Sequence, residues 1–403
     1  MTNQQPLITL KAQSVTPVGD MVLVPQFQLQ RSTDLKIWSN VGSPVTGTPH
    51  QTLSMLDTNS GIGFYRAQSI IDEEYAQLDN AVLSSGQLVG ADFFGASLFG
   101  ANLSSANLQR AVLAGADVRN ADLTGADLTA ADLFGIEAAG AIFDQGELTN
   151  VDCSFGDFGS ASFADTDLGN ADMSSAILSG ADMDFAIMKG MKLDTNTVID
   201  PKPMLIWHLV NLGASNVVLT NVDLSNAFLE NVNFNGIKFN SANLEFSDLG
   251  NADLRGANFT NANMLFVAFL GSLINSNTVL DARSLLVWRI LNQPATNRNL
   301  AGSNLVNVTL VGANLINANL TSAFCDVSEL FAANFNGANA SHANFSQSDL
   351  GSATFTNANL TSANFSFANL ADANFRNAIT NGWIISGATF TNTIMPNGSI
   401  RNN

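Results

Sequence analysis

Charged and reactive side chains are scarce in this chain. Of its 403 residues only 12% are Asp, Glu, Lys or Arg, and there are two cysteines and three histidines. Cys153 and Cys325 lie far apart, which leaves no disulfide framework and no zinc set. His50, His208 and His342 have no second His, Cys or carboxylate at a metal-ligand spacing. No phosphate-binding glycine loop, HExxH or GxSxG occurs, so neither catalysis nor a cofactor is expected. No apolar run reaches the roughly 18 residues of a membrane span, so no membrane insertion is expected. The opening MTNQQPLITLKAQ has no basic stretch followed by an apolar one, and so carries no visible signal peptide. The charge that is present is lopsided: 34 acids against 16 bases, for a net charge of −18. Such a chain should not bind nucleic acid directly, nor anionic lipid. Its 46% hydrophobic content separates it from disordered acidic tails, and its length allows two or more domains.

What the sequence has in abundance is a period of five. Residues 121–133 read ADLTGADLTAADL. Five steps of a helix leave successive leucines on different faces, and five steps of a straight strand send every second leucine to solvent. The pattern works only if the chain turns a corner within each pentapeptide and keeps its leucine inward. The coils then stack, with backbone groups pairing about 4.8 Å above and below. From Leu83 to Leu193 there are 23 such central positions, and all but Ala138 and Cys153 are Leu, Val, Phe or Met. Two residues before each centre stands mostly Ala or Gly, as at Ala91, Ala101, Ala121 and Ala181. A second run extends from Leu219 to Ile274 and a third from Leu300 to near Ile400, with Phe at many centres, among them Phe234, Phe259, Phe335 and Phe375.

The motif A-(D/N)-L-x-x, repeated across residues 81–400, resembles the pentapeptide-repeat family. The resemblance implies an all-β fold: a right-handed quadrilateral β-helix, a solenoid of about 20 residues per coil and, at about 4.8 Å per coil, a rod some 65 Å long.

Two interruptions are themselves a repeat. NTVIDPKPMLIWHLVN (196–211) and NTVLDARSLLVWRILN (277–292) place Trp207 and Trp288, like Thr197 and Thr278, 81 residues apart. Each predicts a short helical insert, near 195–216 and 275–298, with Asp200 or Asp281 as N-cap and Pro201 at the first helical position. Leu285, Trp288 and Leu291 have the spacing of an apolar face. The inserts resemble the D-x-x-x-L-x-W-x-(I/L)-(V/L)-N segments of cyanobacterial pentapeptide-repeat proteins, and TIMPNGSIRN (393–402) resembles the terminus of that group. Trp207 and Trp288 mark either docking helices or helices packed on the solenoid wall.

Residues 1–70 lack the period. LITLKAQ, MVLVPQFQLQR, HQTLSML and GFYRAQS read as strands between turn residues. LQRSTDLKIWSNV (29–41) with GFYRAQS (63–69) resembles a small β-sandwich-like module of secreted bacterial proteins, which implies an extracellular or cell-surface setting; a gene that begins at Met1 would instead imply the cytoplasm. DEEYAQLDNA then predicts a linker or capping helix over 71–80, with the β-helix occupying 81–403.

Between residues 81 and 195 there are 16 acids and 4 bases. With 20 residues per coil, Asp117, Glu137 and Asp157 form one column, Asp127, Glu147 and Asp167 a second, and Asp132, Asp152 and Asp172 a third. Asp117, Asp127, Asp132, Asp152, Asp157, Asp167 and Asp172 are the candidate interaction face. They read as motif residues solvated by their own neighbours, as a DNA-like face, or as a weak Ca²⁺ or surface-binding site. In the later runs Asn replaces most of them, as at Asn314, Asn319, Asn339 and Asn344, and stacked Asn can hydrogen-bond along the solenoid. Cys153 and Cys325 fall on centres and read as buried thiols. Sequons such as those at Asn102, Asn258 and Asn364 follow from the motif itself. The functional expectation is a non-enzymatic extended scaffold that binds a protein partner or self-associates end to end. The alternative, an activity known in the family, is a DNA-mimicking inhibitor of a type II topoisomerase such as gyrase.

Overall fold

A computed structural model describes strands at 7–12, 26–32, 39–40, 45–46, 51–56 and 64–69, and the chain over 76–215, 217–293 and 295–403. It divides into two compact units, Met1–Leu212 and Gly213–Asn403.

In the first unit β1 (Leu7–Ala12) pairs antiparallel with β5 (Gln51–Leu56). β2 (Gln26–Ser32) pairs antiparallel with β3 (Ser39–Asn40), β4 (Val45–Thr46) and β6 (Phe64–Ser69). Coils begin at residue 76. The linker helix expected over 71–80 therefore does not include 76–80: Gln77 bridges Ser97 in parallel, and Leu78 is fully buried as a central residue. The reason is legible locally, because Ala76-Gln77-Leu78 already carries the small-x-Leu pattern. Residues 71–75, with Asp72, lie outside the described residues.

One pentapeptide shows how the coil is built. Asp122 bridges Asn102 behind and Ile142 ahead. Its N–H donates to the Ala101 carbonyl at 2.9 Å, and the Leu123 N–H to the Ile142 carbonyl at 2.7 Å. Ala126 N–H then donates to Leu123 O at 2.9 Å, closing a tight turn whose third residue, Gly125, has φ +64°. A left-handed residue at that place is the mark of a type II turn and favours Gly or Asn. The bridges repeat every five residues with an offset of 20, so each coil holds four pentapeptides and four columns of outward side chains. Backbone donors are thereby used coil by coil, as a narrow apolar interior requires.

That interior is filled by the central residues and the small residues before them. Leu123, Leu128, Phe143, Ala121 and Ala126 are all buried. In the second unit Phe335, Phe355 and Phe375 stack nearly parallel, at 4.6 and 5.0 Å between ring centroids, with Phe345 and Phe365 edge-on beside them. Where Ser replaces Ala, its hydroxyl finds a carbonyl either in the preceding coil, as Ser328 donates to Leu305 O at 2.7 Å and Ser348 to Cys325 O at 2.6 Å, or in its own turn, as Ser247 donates to Leu244 O at 2.7 Å. Among the described residues no buried hydroxyl is then left without a bond.

The first unit ends in a two-residue parallel pair, β7 (Ile177–Leu178) with β8 (Val198–Ile199), and helix α1 (Pro201–Asn211). Helix α2 (Ala282–Asn292) is the matching insert of the second unit. Asp281 caps α2, accepting from the Arg283 and Ser284 N–H groups at 2.9 and 3.1 Å. Asp200 does not cap α1, contrary to the expectation. Pro203 removes one of the two N–H groups that such a cap would bind, and Asp200 accepts instead from Gly180 N–H at 2.9 Å. The buried face of α2 is Ser284, Val287 and Ile290, one residue round from the expected Leu285, Trp288 and Leu291. In α1 the equivalent Pro203, Ile206 and Leu209 are buried. This register leaves Trp288 half-buried, with its indole N–H on the Ser272 carbonyl at 3.0 Å.

The second unit closes with an antiparallel pair, β9 (Thr393–Ile394) and β10 (Ile400–Arg401). Ile400, expected near the end of the inward series, sits in this hairpin and is exposed. The last coil is closed otherwise. Trp383 occupies a position normally held by Ala and packs edge-on against Phe365 and Phe375, at 5.9 and 5.4 Å. Arg401 lies 3.8 Å over the Phe390 ring, and Phe390 and Asn403 exchange backbone hydrogen bonds.

Candidate functional site

The acidic columns stand as the period places them. Asp117 bridges Glu137, which bridges Asp157; Asp127, Glu147 and Asp167 follow suit, as do Asp132, Asp152 and Asp172. They occupy three of the four sides of the coil. On the fourth, Asp122 and Asp182 are separated by Ile142 and Ser162.

Each aspartate has a local task. Its Oδ1 accepts the backbone N–H two residues on, as in Thr129 to Asp127 at 3.0 Å, Phe134 to Asp132 at 3.0 Å and Gly169 to Asp167 at 2.8 Å. Asn does the same where it replaces Asp, as in Thr361 to Asn359 at 3.1 Å. The turn therefore needs the oxygen and not the charge.

The repulsion between stacked carboxylates, about 1 kcal/mol for a pair at 4 Å in water, is relieved at particular points. Arg119 holds Asp117 through two hydrogen bonds, 2.9 and 2.7 Å, and reaches Glu137 at 3.5 Å. Those bonds hold the Asp117 carboxyl below its usual range against the opposing effect of burial. For Asp127, burial pushes the carboxyl up, but hydrogen bonds from Thr129 and Gln109 outweigh it and the net shift is downward. Asp172 is lowered by Ser174 and by Lys192, 3.3 Å away at the end of the third column. In the second unit asparagine ladders replace this arrangement. Asn319 Nδ2 donates to Asn299 at 3.1 Å, Asn359 to Asn339 at 3.2 Å and Asn364 to Asn344 at 3.0 Å.

Trp207 and Trp288 are half-buried and occupy matching places. Trp207 donates its indole N–H to Met191 O at 2.7 Å, and Trp288 to Ser272 O at 3.0 Å. Asn211 and Asn292 bind the helix back to the coils through Met188 O and Phe269 O, both at 2.9 Å. The polar edge of each indole is thus engaged by its own unit.

Cys153 and Cys325 are buried free thiols. Burial pushes Cys153 well above the ordinary thiol range and Cys325 up to about 12. Among the described residues no group of three or more His, Cys, Asp or Glu is arranged to hold a metal ion, and no helix is long and apolar enough to cross a membrane.

Sequence reasoning passed over three features. Arg119 was legible as D-x-R, a spacing that recurs at Asp253 and Arg255 with a 2.7 Å ion pair. Trp383 broke the small-residue rule. Phe134 and Phe155 stand exposed at a turn corner, with ring centroids 5.4 Å apart.

A register of 20 with an inward Leu or Phe every fifth residue defines a five-residue repeat solenoid. The chain belongs to the pentapeptide-repeat family, a family of right-handed β-helices. Eight copies of the family's Pentapeptide repeats match over residues 76–113, 101–136, 157–193, 214–236, 237–272, 296–325 and 328–366, more than half of the chain. Among solved structures it is similar to HetL, a pentapeptide repeat protein involved in heterocyst differentiation regulation in the cyanobacterium Nostoc sp. strain PCC 7120. The identity is 23% over 82% of this chain and 93% of that one, with a TM-score of 0.19. A pentapeptide repeat protein of the Arabidopsis thaliana thylakoid lumen is 22% identical over 30% of this chain and 83% of its own, with a TM-score of 0.26. The plasmid-mediated fluoroquinolone resistance protein QnrB1 is 16% identical over 69% of this chain and 86% of its own, with a TM-score of 0.16. These superpositions are too loose to carry an argument, and the family rests on the repeat. No curated protein matches the chain.

Proposed function

We propose that this chain is a non-enzymatic interaction scaffold that presents the faces of a four-sided β-helix to a protein partner. The observation that carries this reading is the 20-residue register. It turns one side chain per coil into a column, so a partner meets the same group repeatedly along one face. Residues 1–70 are proposed as a separate β module, and their resemblance to modules of secreted proteins supports an extracellular or cell-surface location.

The second reading is DNA mimicry directed at gyrase, which the acidic first unit favours. B-DNA carries one charge per about 1.7 Å of axis. One acidic column carries one charge per coil, or one per about 4.8 Å, roughly a third of that density. Three columns together reach it, but they lie on three different sides. A DNA-binding surface facing one side meets too few of them.

The test uses a membrane-impermeant, lysine-reactive cross-linker on intact source cells. The chain should be joined to a second protein. Reaction only after lysis would remove the cell-surface part of the proposal. Failure to cross-link before or after lysis would remove the scaffold.

A further inference from the structure

We propose that the corner formed by Phe134 and Phe155 in the first unit is a docking surface for an arginine-bearing segment of a partner protein. The proposal rests on the scaffold reading and names the face and the chemistry of its partner. Phe134 is 48% exposed and Phe155 62% exposed, and their rings lie 5.4 Å apart at 53°. Sequence order puts this corner between two acidic columns. Phe134 lies between Asp132 and Glu137, and Phe155 between Asp152 and Asp157, so Asp132–Asp152–Asp172 flanks one side and Asp117–Glu137–Asp157 the other. Asp132, Asp152 and Asp157 each give Oδ1 to their own turn, and among the described residues no hydrogen bond or ion pair engages their Oδ2.

Phe155 is also held at φ +61°, while Gly135 and Ser175 take the equivalent places in the coils on either side. A bulky side chain in that region costs conformational energy, and an exposed phenyl gains nothing from the apolar interior. Phe also takes this left-handed place at Phe185, Phe246, Phe266 and Phe367, so the backbone accepts the ring there without requiring it.

Phenyl faces beside carboxylates suit guanidinium above ammonium. A guanidinium stacks flat on the ring while forking onto a carboxylate. The protein makes this arrangement for itself one corner away. Arg119 forks onto Asp117 at 2.9 and 2.7 Å, and its Cζ lies 6.0 Å from the Phe99 ring centroid. The Phe134–Phe155 corner has the ring and the carboxylates and lacks the arginine.

The experiment is calorimetry of the full chain with a twelve-residue peptide of alternating Arg and Gly, set against its Lys counterpart, at physiological salt. The Arg peptide should bind about fivefold more tightly. Phe155→Asn should abolish that preference without lowering the melting temperature, because Asn accepts the left-handed turn position. Phe134→Ala should weaken the preference as well. Equal affinities for the two peptides, unchanged by Phe155→Asn, would reduce the surface to a general acidic attraction and overturn the proposal. If neither peptide binds while the chain still cross-links a partner on cells, this corner is wrong and the scaffold reading stands. If light scattering shows a dimer that Phe155→Asn dissociates, the occupant is a second copy of the chain, and the proposal fails in favour of self-association.

Discussion

Asp194 and Asn275, 81 residues apart, do the same work at the entrance to the two inserts. Asp194 Oδ1 accepts the Ser175 N–H at 2.8 Å, and Asn275 Oδ1 accepts the Gly256 N–H at 3.1 Å. In each case a side-chain oxygen stands in for the carbonyl that the next coil supplies elsewhere. Thr197 and Thr278 complete the pair, reaching Met173 O and Leu254 O at 3.1 and 2.9 Å.

The charged copy should be acid-sensitive and the neutral one should not. The Ser175 N–H above all, with further donors, holds the Asp194 carboxyl at about 2, against an ordinary value of 3.8. A depressed folded-state value means that the contribution is complete above the unfolded value and is lost as pH falls through about 2. Asp194→Asn should therefore flatten the fall in thermal midpoint between pH 4 and pH 2 while leaving the midpoint at pH 7 nearly unchanged. A variant as acid-sensitive as the parent would dismiss this role for Asp194.

Leu128 is fully buried, while its neighbour Thr129 is half-buried at the turn. Leu128→Ala should cost about 2–5 kcal/mol, since the stacked coils leave little room to collapse. Thr129→Ser should cost less than about 1 kcal/mol. Denaturant unfolding of the two variants compares them directly, and equal midpoints would contradict the inward placement.

The matched indoles predict matched penalties. Trp207→Phe and Trp288→Phe each remove one N–H donor from a carbonyl and keep most of the ring packing. Each should lower stability by about 1 kcal/mol. A loss in one copy only would show that the two inserts are not energetically equivalent.

Much of this architecture was readable in advance, and the misses share a cause. The period fixed the inward residues, the coil length and the acidic columns, because each depends only on spacing along the chain. The capping of α1 was misread because Asp200 was judged alone, without the donor that Pro203 removes. The face of α2 was misread because two registers compete on an eleven-residue helix, and the one that packs begins with a serine that an apolar pattern passes over. The start of the coils was set one pentapeptide late, since Gln77 takes the place of the usual Asp or Asn. Trp383 and the Phe134–Phe155 corner were missed because their meaning lies in which coil is last and which residues are neighbours 20 positions away.

Closure of the last coil depends on Trp383. Removing its ring exposes the ends of the Phe365 and Phe375 stacks. Trp383→Ala should destabilise the second unit by about 3–5 kcal/mol. It should also promote association, because an uncovered coil is an open edge. Light scattering of the variant against the parent reads the second effect. A variant that remains in the parent's state, with an unchanged midpoint, would mean that the terminal hairpin alone closes the coil.

Neutralising the columns separates the two functional readings without unfolding the chain. Asp117, Asp127, Asp132, Asp152 and Asp167 each give Oδ1 to a backbone N–H, and Asn gives the same oxygen throughout the second unit. Changing all five to Asn should therefore preserve the fold. The loss of the Arg119–Asp117 ion pair, whose arginine is about half exposed, should cost no more than about 1 kcal/mol. The parent chain at micromolar concentration should not inhibit gyrase supercoiling, because the charge is divided among three sides. Inhibition by the parent that disappears in the five-fold variant would establish DNA mimicry and displace the scaffold reading. Inhibition that survives the substitutions would require a surface other than the acidic columns, and neither reading supplies one.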